Sequence, residues 1–405
     1  MNVSPAIRGL ADDVQRAGGR ALLVGGGVRD ALLGREAKDQ DVEVYGLPSD
    51  ELASLLRRTG KVDEVGRSFG VFKWTPPGED TIDVSLPRTD SKLGPGHRGI
   101  AVHGDPFLDV VEASRRRDLT INAIMVDLHT HEIIDPHGGL ADLEAGVLRA
   151  VDLQTFLEDP LRALRVAQFA ARLEFSVDPA LLALCLTARV DELPPERILV
   201  EWQKLFLGGR KPSLGIQFAR HSGLLSTLFP TLVDRVDNDA VLDAAAQSPQ
   251  RDSHDGWHLA LLLSLWVADS PQWEDTMDAL GLHRRLGLNV RRLVGQCLQA
   301  RMEPWHDDAA LRHLSVKVPL RLMLAFHRSQ GASTRLAWQR SETLGILEQG
   351  PTPIVQGRDL RRLGHAPGPA LGDMLQTLYT MQLDGTVRTR DEGLEAARAL
   401  LKHPS

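Results

Sequence analysis

A chain of 405 residues exceeds what one hydrophobic core usually supports, so two to four domains are expected. With 42% hydrophobic and 25% charged residues it reads as a soluble globular protein, and no stretch approaches the roughly 20 apolar residues of a membrane span. Cys185 and Cys297, the two cysteines, support neither a disulfide framework nor a thiolate zinc site, and the net charge of −7 confines any nucleic-acid contact to local basic patches.

The opening residues MNVSPAIRGLADDVQRAGG have the spacing of an amphipathic helix and lack the apolar core of a secretory leader, which predicts a cytoplasmic protein. ALLV, DVEVYG, VFKWT, TIDVSL and AIMVDL…EIIDP read as strands, with PSDELASLLRRTG a capped helix among them. The stretch Arg88 to Arg115 is rich in Gly and charge and has little periodicity, so it reads either as a flexible loop or as a strand pair. From about Leu157 the pattern turns helical. EDPLRALRVAQFAARL, DPALLALCLTARV, PERILVEWQKLFLG and SLGIQFARHSGLLSTLF each carry an apolar stripe and end at Pro, Gly or Asp stops. The expected architecture is α+β: an α/β head, then a long all-helical remainder.

Chemistry concentrates in residues 21–46. The strand ALLV runs into Gly25-Gly26-Gly27 and a short helix carrying Arg29 and Asp30, an arrangement that turns backbone N–H groups toward an anion. Asp39 and Asp41 open the next strand and, two residues apart, point to one face. Hard oxygen ligands beside a phosphate cradle suit Mg²⁺. Asp83 in TIDVSLPR supplies a third carboxylate from a neighbouring strand, enough for a two-metal site. Asp in a turn or at a strand edge is the alternative reading of the pair. The glycines lack the G-x-G-x-x-G spacing of a dinucleotide site, and no G-K-[ST] of a P-loop follows.

Five blocks in order give the chain a resemblance to the class II tRNA nucleotidyltransferase and bacterial poly(A) polymerase family. Val24 to Asp30 with Asp39-Gln40-Asp41 is similar to the family's first motif, and Arg116-Arg117-Asp118-Leu119-Thr120-Ile121-Asn122-Ala123 to its second, with Leu119 where Phe is usual. Asp135 to Leu143 resembles the third, Glu158-Asp159-Pro160-Leu161-Arg162-Ala163-Leu164-Arg165 the fourth, and Glu196-Arg197-Ile198 with Glu201 and Lys204 the fifth. The resemblance implies a DNA polymerase beta-like nucleotidyltransferase α/β head with a mixed sheet (1–145), a helical neck that recognises the base (146–225), an RNA-binding body (226–345) and a tRNA-binding tail (346–405).

It further implies template-independent addition of C and A to a tRNA 3′ end from CTP and ATP. Asp39, Asp41 and Asp83 would be catalytic and metal-binding, while Gly25, Gly26, Arg29, Arg117 and Asn122 would meet the nucleotide. Asp159 and Arg162, three residues apart on one helix face, would read the base: cytosine and adenine present an amine beside an unprotonated ring nitrogen, which suits one acceptor and one donor set. A surface ion pair between the two is the plain alternative. Arg165 reads either as support for that template or as a solvated helix face, and Asp118 and Asp142 either as functional or as loop-holding residues. Rival readings are a CC-adding or A-adding enzyme, a poly(A) polymerase and, from another class, a non-catalytic RNA-binding relative. For the RNA backbone, residues 282–301 offer Arg284, Arg285, Arg291, Arg292 and Arg301 without an acidic residue, and residues 196–220 offer Arg197, Lys204, Arg210, Lys211 and Arg220. Trp257, Trp266, Trp273 and Trp305 read as core or interface aromatics. His254-Asp255 reads as a loop pair rather than part of a second hydrolase site. The oligomeric state is not legible.

Overall fold

The first helix begins where Ser4 accepts from the Ile7 amide and Pro5 fills the first helical position, and it buries Ile7, Leu10, Ala11 and Val14 along one stripe. The computed structural model describes residues 3–36, 40–64, 70–92, 100–233, 238–249, 254–282 and 286–402. They form two units, one reaching Val233 and one starting at Asp234.

In chain order the first unit runs α1 (Pro5–Arg16), β1 (Arg20–Val24), α2 (Gly26–Leu32), β2 (Asp41–Tyr45), α3 (Ser49–Thr59), β3 (Lys61–Glu64), β4 (Val71–Thr75), β5 (Ile82–Ser85), β6 (Arg88–Lys92), β7 (Ile100–Gly104), α4 (Val110–Arg115), β8 (Met125–Asp127), β9 (Ile133–Ile134), α5 (Gly139–Ala145) and β10 (Val147–Leu148). The sheet order is β3-β4-β5-β2-β1-β8-β9, antiparallel except for the parallel pair β2–β5, so the sheet is mixed as expected. The apolar run in β1 buries four of its five residues, as a strand covered on both faces does. In β5 the alternation is strict, with Ile82 and Val84 buried and Asp83 and Ser85 half-buried. Residues 88–104 resolve the open choice toward a strand pair: β6 and β7 form a separate antiparallel hairpin with Arg88 opposite Gly104, and residues 93–99 lie outside the described residues. β3, whose KVDE is too polar to stand out, was not expected from the sequence.

The helical remainder of this unit comprises α6 (Leu161–Leu173), α7 (Pro179–Cys185), α8 (Pro195–Gly208), α9 (Pro212–His221) and α10 (Leu224–Leu228), with a short β11 (Ser176–Val177) beside β10. α6 packs against α8 and α9. A side chain at Gly215 would stand 2.5 Å from the Ala167 carbonyl oxygen, so glycine there is what lets α9 lie against the α6 backbone. SLGIQFARHSGLLSTLF is two helices rather than one, broken at Gly223 with φ 74°.

The second unit is helical throughout its described residues. Its helix Asp255–Val267 is apolar on all sides and buried accordingly, and it packs against Val290–Ala300 and Leu320–Ser329. His254 is not a loop residue: its Nδ1 accepts from the Gly256 amide and caps that helix, and Asp255 is the first helical residue. Trp266 is core, whereas Trp257 carries the Arg321 guanidinium 5.2 Å over its ring. The helices Gly357–Arg362, Pro369–Leu383 and Arg390–Lys402 close around Val355, Leu360, Leu378 and Ala397. None of the described helices is long and apolar enough to cross a membrane.

Candidate active site

The turn between β1 and α2 needs a residue at φ 77°, and Gly25 supplies it. A side chain at Gly25 would lie 3.5 Å from Asp41 Oδ2 and 3.6 Å from Arg117 Nη1, so the missing Cβ opens a space bounded by a carboxylate and a guanidinium. Asp41 reaches this point because β2 pairs with β1 in the register Val24 opposite Asp41. The parallel pairing of Val42 with Val84 then sets Asp83 beside Asp41, as the sequence suggested. Asp39 lies outside the described residues.

Beside Asp83, on the strand away from Asp41, stands a cation that the sequence reading missed. Lys73 is opposite Asp83 on β4 and places Nζ 2.8 Å from Asp83 Oδ1. Its pKa is raised by that hydrogen bond, by the charge of Asp83 and, more weakly, by Asp41. The pair is open to solvent, each side chain being 46% exposed, and it places an ammonium next to the acids; a carboxylate pair is a fitting donor set for Mg²⁺. Among the described residues no group of three or more His, Cys, Asp or Glu has metal-holding geometry, so a fuller ligand set requires the contribution of Asp39.

Arg117 faces the glycine turn from the end of α4. Its Nη2 donates to Glu43 Oε2 at 3.4 Å, Arg116 Nη2 donates to the same oxygen at 2.8 Å, and the Tyr45 hydroxyl donates to Glu43 Oε1 at 2.6 Å. Burial lowers the pKa of Arg117 despite the charge of Glu43. The same two influences, burial and then Glu43, push that of Tyr45 well up and keep its hydroxyl protonated.

Arg29 and Asn122 are placed otherwise than expected. Arg29 is 2% exposed, and its guanidinium is spent inside the protein: Nε and Nη2 donate to Asp30 Oδ1 at 2.9 and 2.8 Å, and Nη1 donates to Asn122 Oδ1 at 2.5 Å. The amide of Asn122 donates to Asp118 Oδ1 at 3.0 Å, so neither side chain is turned outward to a triphosphate or a ribose. The chain continues through Asp118 Oδ2, which accepts from Arg165 Nε at 2.7 Å, and at its other end through Asp30 Oδ2, which accepts from Arg172 at 2.7 Å. Phe169 lies between the two guanidiniums, 5.0 Å from Arg29 and 5.3 Å from Arg165. Burial alone would raise the pKa of Asp118. The Arg165 charge, with hydrogen bonds from Asn122, Arg165 and the Leu119 amide, outweighs it and holds the carboxyl below its ordinary range. Arg165 is therefore no solvated face but a tie between α6 and the segment after α4. Asp142 likewise holds structure, accepting from the Thr120 hydroxyl at 2.7 Å and from Arg149.

At the start of α6, Asp159 and Arg162 are near neighbours but not an ion pair. Asp159 Oδ1 accepts from the Leu161 amide at 3.2 Å, so it satisfies the first amide of the helix from the residue before its N-cap, Pro160. Its Oδ2 accepts from Arg197 of α8 at 2.9 Å. Arg162 instead donates to two carbonyls, Arg116 O at 2.6 Å and Thr155 O at 3.4 Å. Each carboxylate oxygen keeps a second lone pair and the guanidinium keeps further N–H groups, so both retain capacity for a base edge.

The expected basic patches are paired with acids in part. Arg284 and Arg285 lie outside the described residues, and Arg291 forms a two-pronged pair with Asp278, a carboxylate just upstream of the stretch that looked free of acids. Arg292 lines an open cavity of about 340 Å³ with Asn289, Gln296 and Glu348. In residues 196–220, Lys204 pairs with Glu201, and Arg210 and Lys211 both pair with Glu174.

The chain is similar to known proteins in sequence and in fold. Residues 21–149 match the family described as "Poly A polymerase head domain", and residues 175–235 match "Probable RNA and SrmB- binding site of polymerase A". A CCA-adding enzyme of Marinobacter nauticus is 35% identical over 294 residues, 70% of this chain and 76% of that protein. A multifunctional CCA protein of Methylobacillus flagellatus is 41% identical over 251 residues, 60% of this chain and 57% of its own length. The match therefore spans little more than half of that longer relative. In fold, the chain is similar to the Bacillus stearothermophilus CCA-adding enzyme solved with CTP (TM-score 0.71, 23% identity, 99% of this chain and 100% of that one). It is also similar to the Thermotoga maritima CCA-adding enzyme complexed with tRNA (TM-score 0.64, 22% identity, 98% and 96%).

Proposed function

The chain belongs to the class II CCA-adding enzyme and poly(A) polymerase family, and from that premise we propose that it adds C and A to the 3′ end of tRNA, using CTP and ATP and releasing pyrophosphate. One observation supports this most. The space left by Gly25 is bounded by Asp41 and Arg117, and the residue before Arg117 binds Arg162 through its carbonyl. A metal-binding acid, a phosphate-facing arginine and a base-reading arginine thus meet around one dipeptide.

The RNA 3′-hydroxyl attacks the α-phosphorus, a new P–O bond forms, the bond to the β-phosphate breaks, and pyrophosphate leaves. Asp41 and Asp83, joined by Asp39, would hold Mg²⁺; when bound, it supplies positive charge to the triphosphate and acidifies the attacking hydroxyl. Arg117 binds the nucleotide from the far side of the glycine turn, and Gly25 and Gly26 let the phosphates approach the backbone. Arg29 and Asn122 act one step away, by fixing α2 and the segment after α4. Asp159 accepts the exocyclic amine of cytosine or adenine and Arg162 donates to the adjacent ring nitrogen. Guanine and uracil present the reversed pattern and leave both groups unpaired.

Single-turnover incorporation of CTP into tRNA lacking its CCA end tests the chemistry. Asp41→Ala is expected to lose at least about a thousandfold in rate while keeping its melting temperature and its tRNA affinity. Transfer by that variant at the wild-type rate would overturn the assignment.

A further inference from the structure

Glu43 has no assigned role, yet it is the most enclosed acid in the neighbourhood of the site. It lies two residues beyond Asp41 on β2, hence on the same face, and is 1% exposed. Both oxygens are engaged, one by the Tyr45 hydroxyl and the other by Arg116 and Arg117. The Nε atoms of these two arginines are buried without a hydrogen-bond partner; the Arg116 guanidinium is held by Glu43, and that of Arg117 by Glu43 and, at 3.5 Å, by the Asn122 carbonyl. Arg116 is the C-terminal cap of α4, and the carbonyl it leaves outside the helix accepts from Arg162.

We propose that Glu43 is a positioning residue for base selection: by anchoring Arg116 it fixes the carbonyl that aims Arg162, and by anchoring Arg117 it ties that aim to the phosphate side of the site. The proposal rests on Arg162 reading the base. A buried carboxylate two residues from a metal-binding acid adds negative charge beside a triphosphate, which by itself disfavours the nucleotide. Its value lies in geometry, since two adjacent buried guanidiniums without a counter-charge repel each other and leave the dipeptide unfixed.

The test is the ratio of kcat/KM for CTP over UTP on tRNA lacking its CCA end. The two nucleotides carry the same charge, so the general electrostatic effect of removing Glu43 cancels and the ratio reports geometry alone. Glu43→Gln is expected to lower the ratio about tenfold. Arg116→Ala is expected to lower it similarly, and Glu43→Gln added to Arg116→Ala to lower it less than about twofold further, as for two residues on one path. Tyr45→Phe removes only the hydroxyl bond, should shift the ratio in the same direction by a smaller factor, and carries the test if Glu43→Gln does not fold. An unchanged ratio in soluble Glu43→Gln or Tyr45→Phe, with Arg162→Ala lowering it, would overturn the proposal. If Arg162→Ala leaves the ratio unchanged as well, the base-reading assignment has failed instead.

Discussion

Asp159 and Arg162 show how far a residue type and a spacing carry. Their placement three apart at the start of α6 was legible, as was the acceptor-and-donor logic for cytosine and adenine. Their partners were not, because Arg197 and the Arg116 carbonyl come from 38 and 46 residues away. Arg162→Ala should relax discrimination against UTP and GTP by about 5- to 150-fold, the ~1–3 kcal/mol carried by a good bidentate contact to a base edge. Competition of CTP against UTP in one reaction measures it, and an unaltered product ratio would refute the role. Gly25 was legible for a simpler reason: three glycines between an apolar strand and a helix leave few conformations open. Arg29 was misplaced for an equally physical reason. A guanidinium beside a glycine turn suggests a phosphate contact, but here Asp30 and Asn122 take its donors inside the protein. Lys73 and Glu43 each carried a signal that went unused, Lys73 by lying opposite Asp83 and Glu43 by sharing the face of Asp41.

At the scale of elements, α6 is joined to α2 and to the segment after α4 by the buried chain Arg172–Asp30–Arg29–Asn122–Asp118–Arg165. Such a chain is costly to leave half-made. Asp118→Asn should destabilise this unit by about 1–3 kcal/mol, since it removes the charge opposite Arg165, whose side chain is 33% exposed, and urea unfolding reads that loss. The pH dependence has a defined sign. The folded pKa of Asp118 is depressed below its unfolded value, so its contribution is complete above about pH 4 and disappears as pH falls through the folded pKa. The acid limb of a stability-versus-pH curve should therefore be shallower in Asp118→Asn than in the parent, and identical limbs would contradict the claim. The helix itself was readable from its apolar stripe. The network was not, because four of its six members read as plausible ligand contacts or surface charges until their partners were known.

For the whole molecule, the α/β-to-helical transition was legible because hydrophobic periodicity changes from alternation to a helical stripe near Leu157, whereas the mixed sheet followed from the five motifs and their family resemblance. The charge patches were less so: Asp278 and Glu174 lie 13 to 37 positions from Arg291, Arg210 and Lys211 and pair with them, contacts that a local count of charges does not show. The proposed nucleotide transfer to tRNA is open to direct test. One experiment decides it. The purified protein is given tRNA lacking CCA, tRNA ending in CC and an unrelated oligoribonucleotide, with CTP and ATP separately and together, and the products are sized. The account predicts two additions to the first acceptor with CTP alone, three with both nucleotides, one A on the second acceptor with ATP alone, and no extension of the third. A run of A residues on the unrelated oligonucleotide, or no transfer to any acceptor, would contradict it.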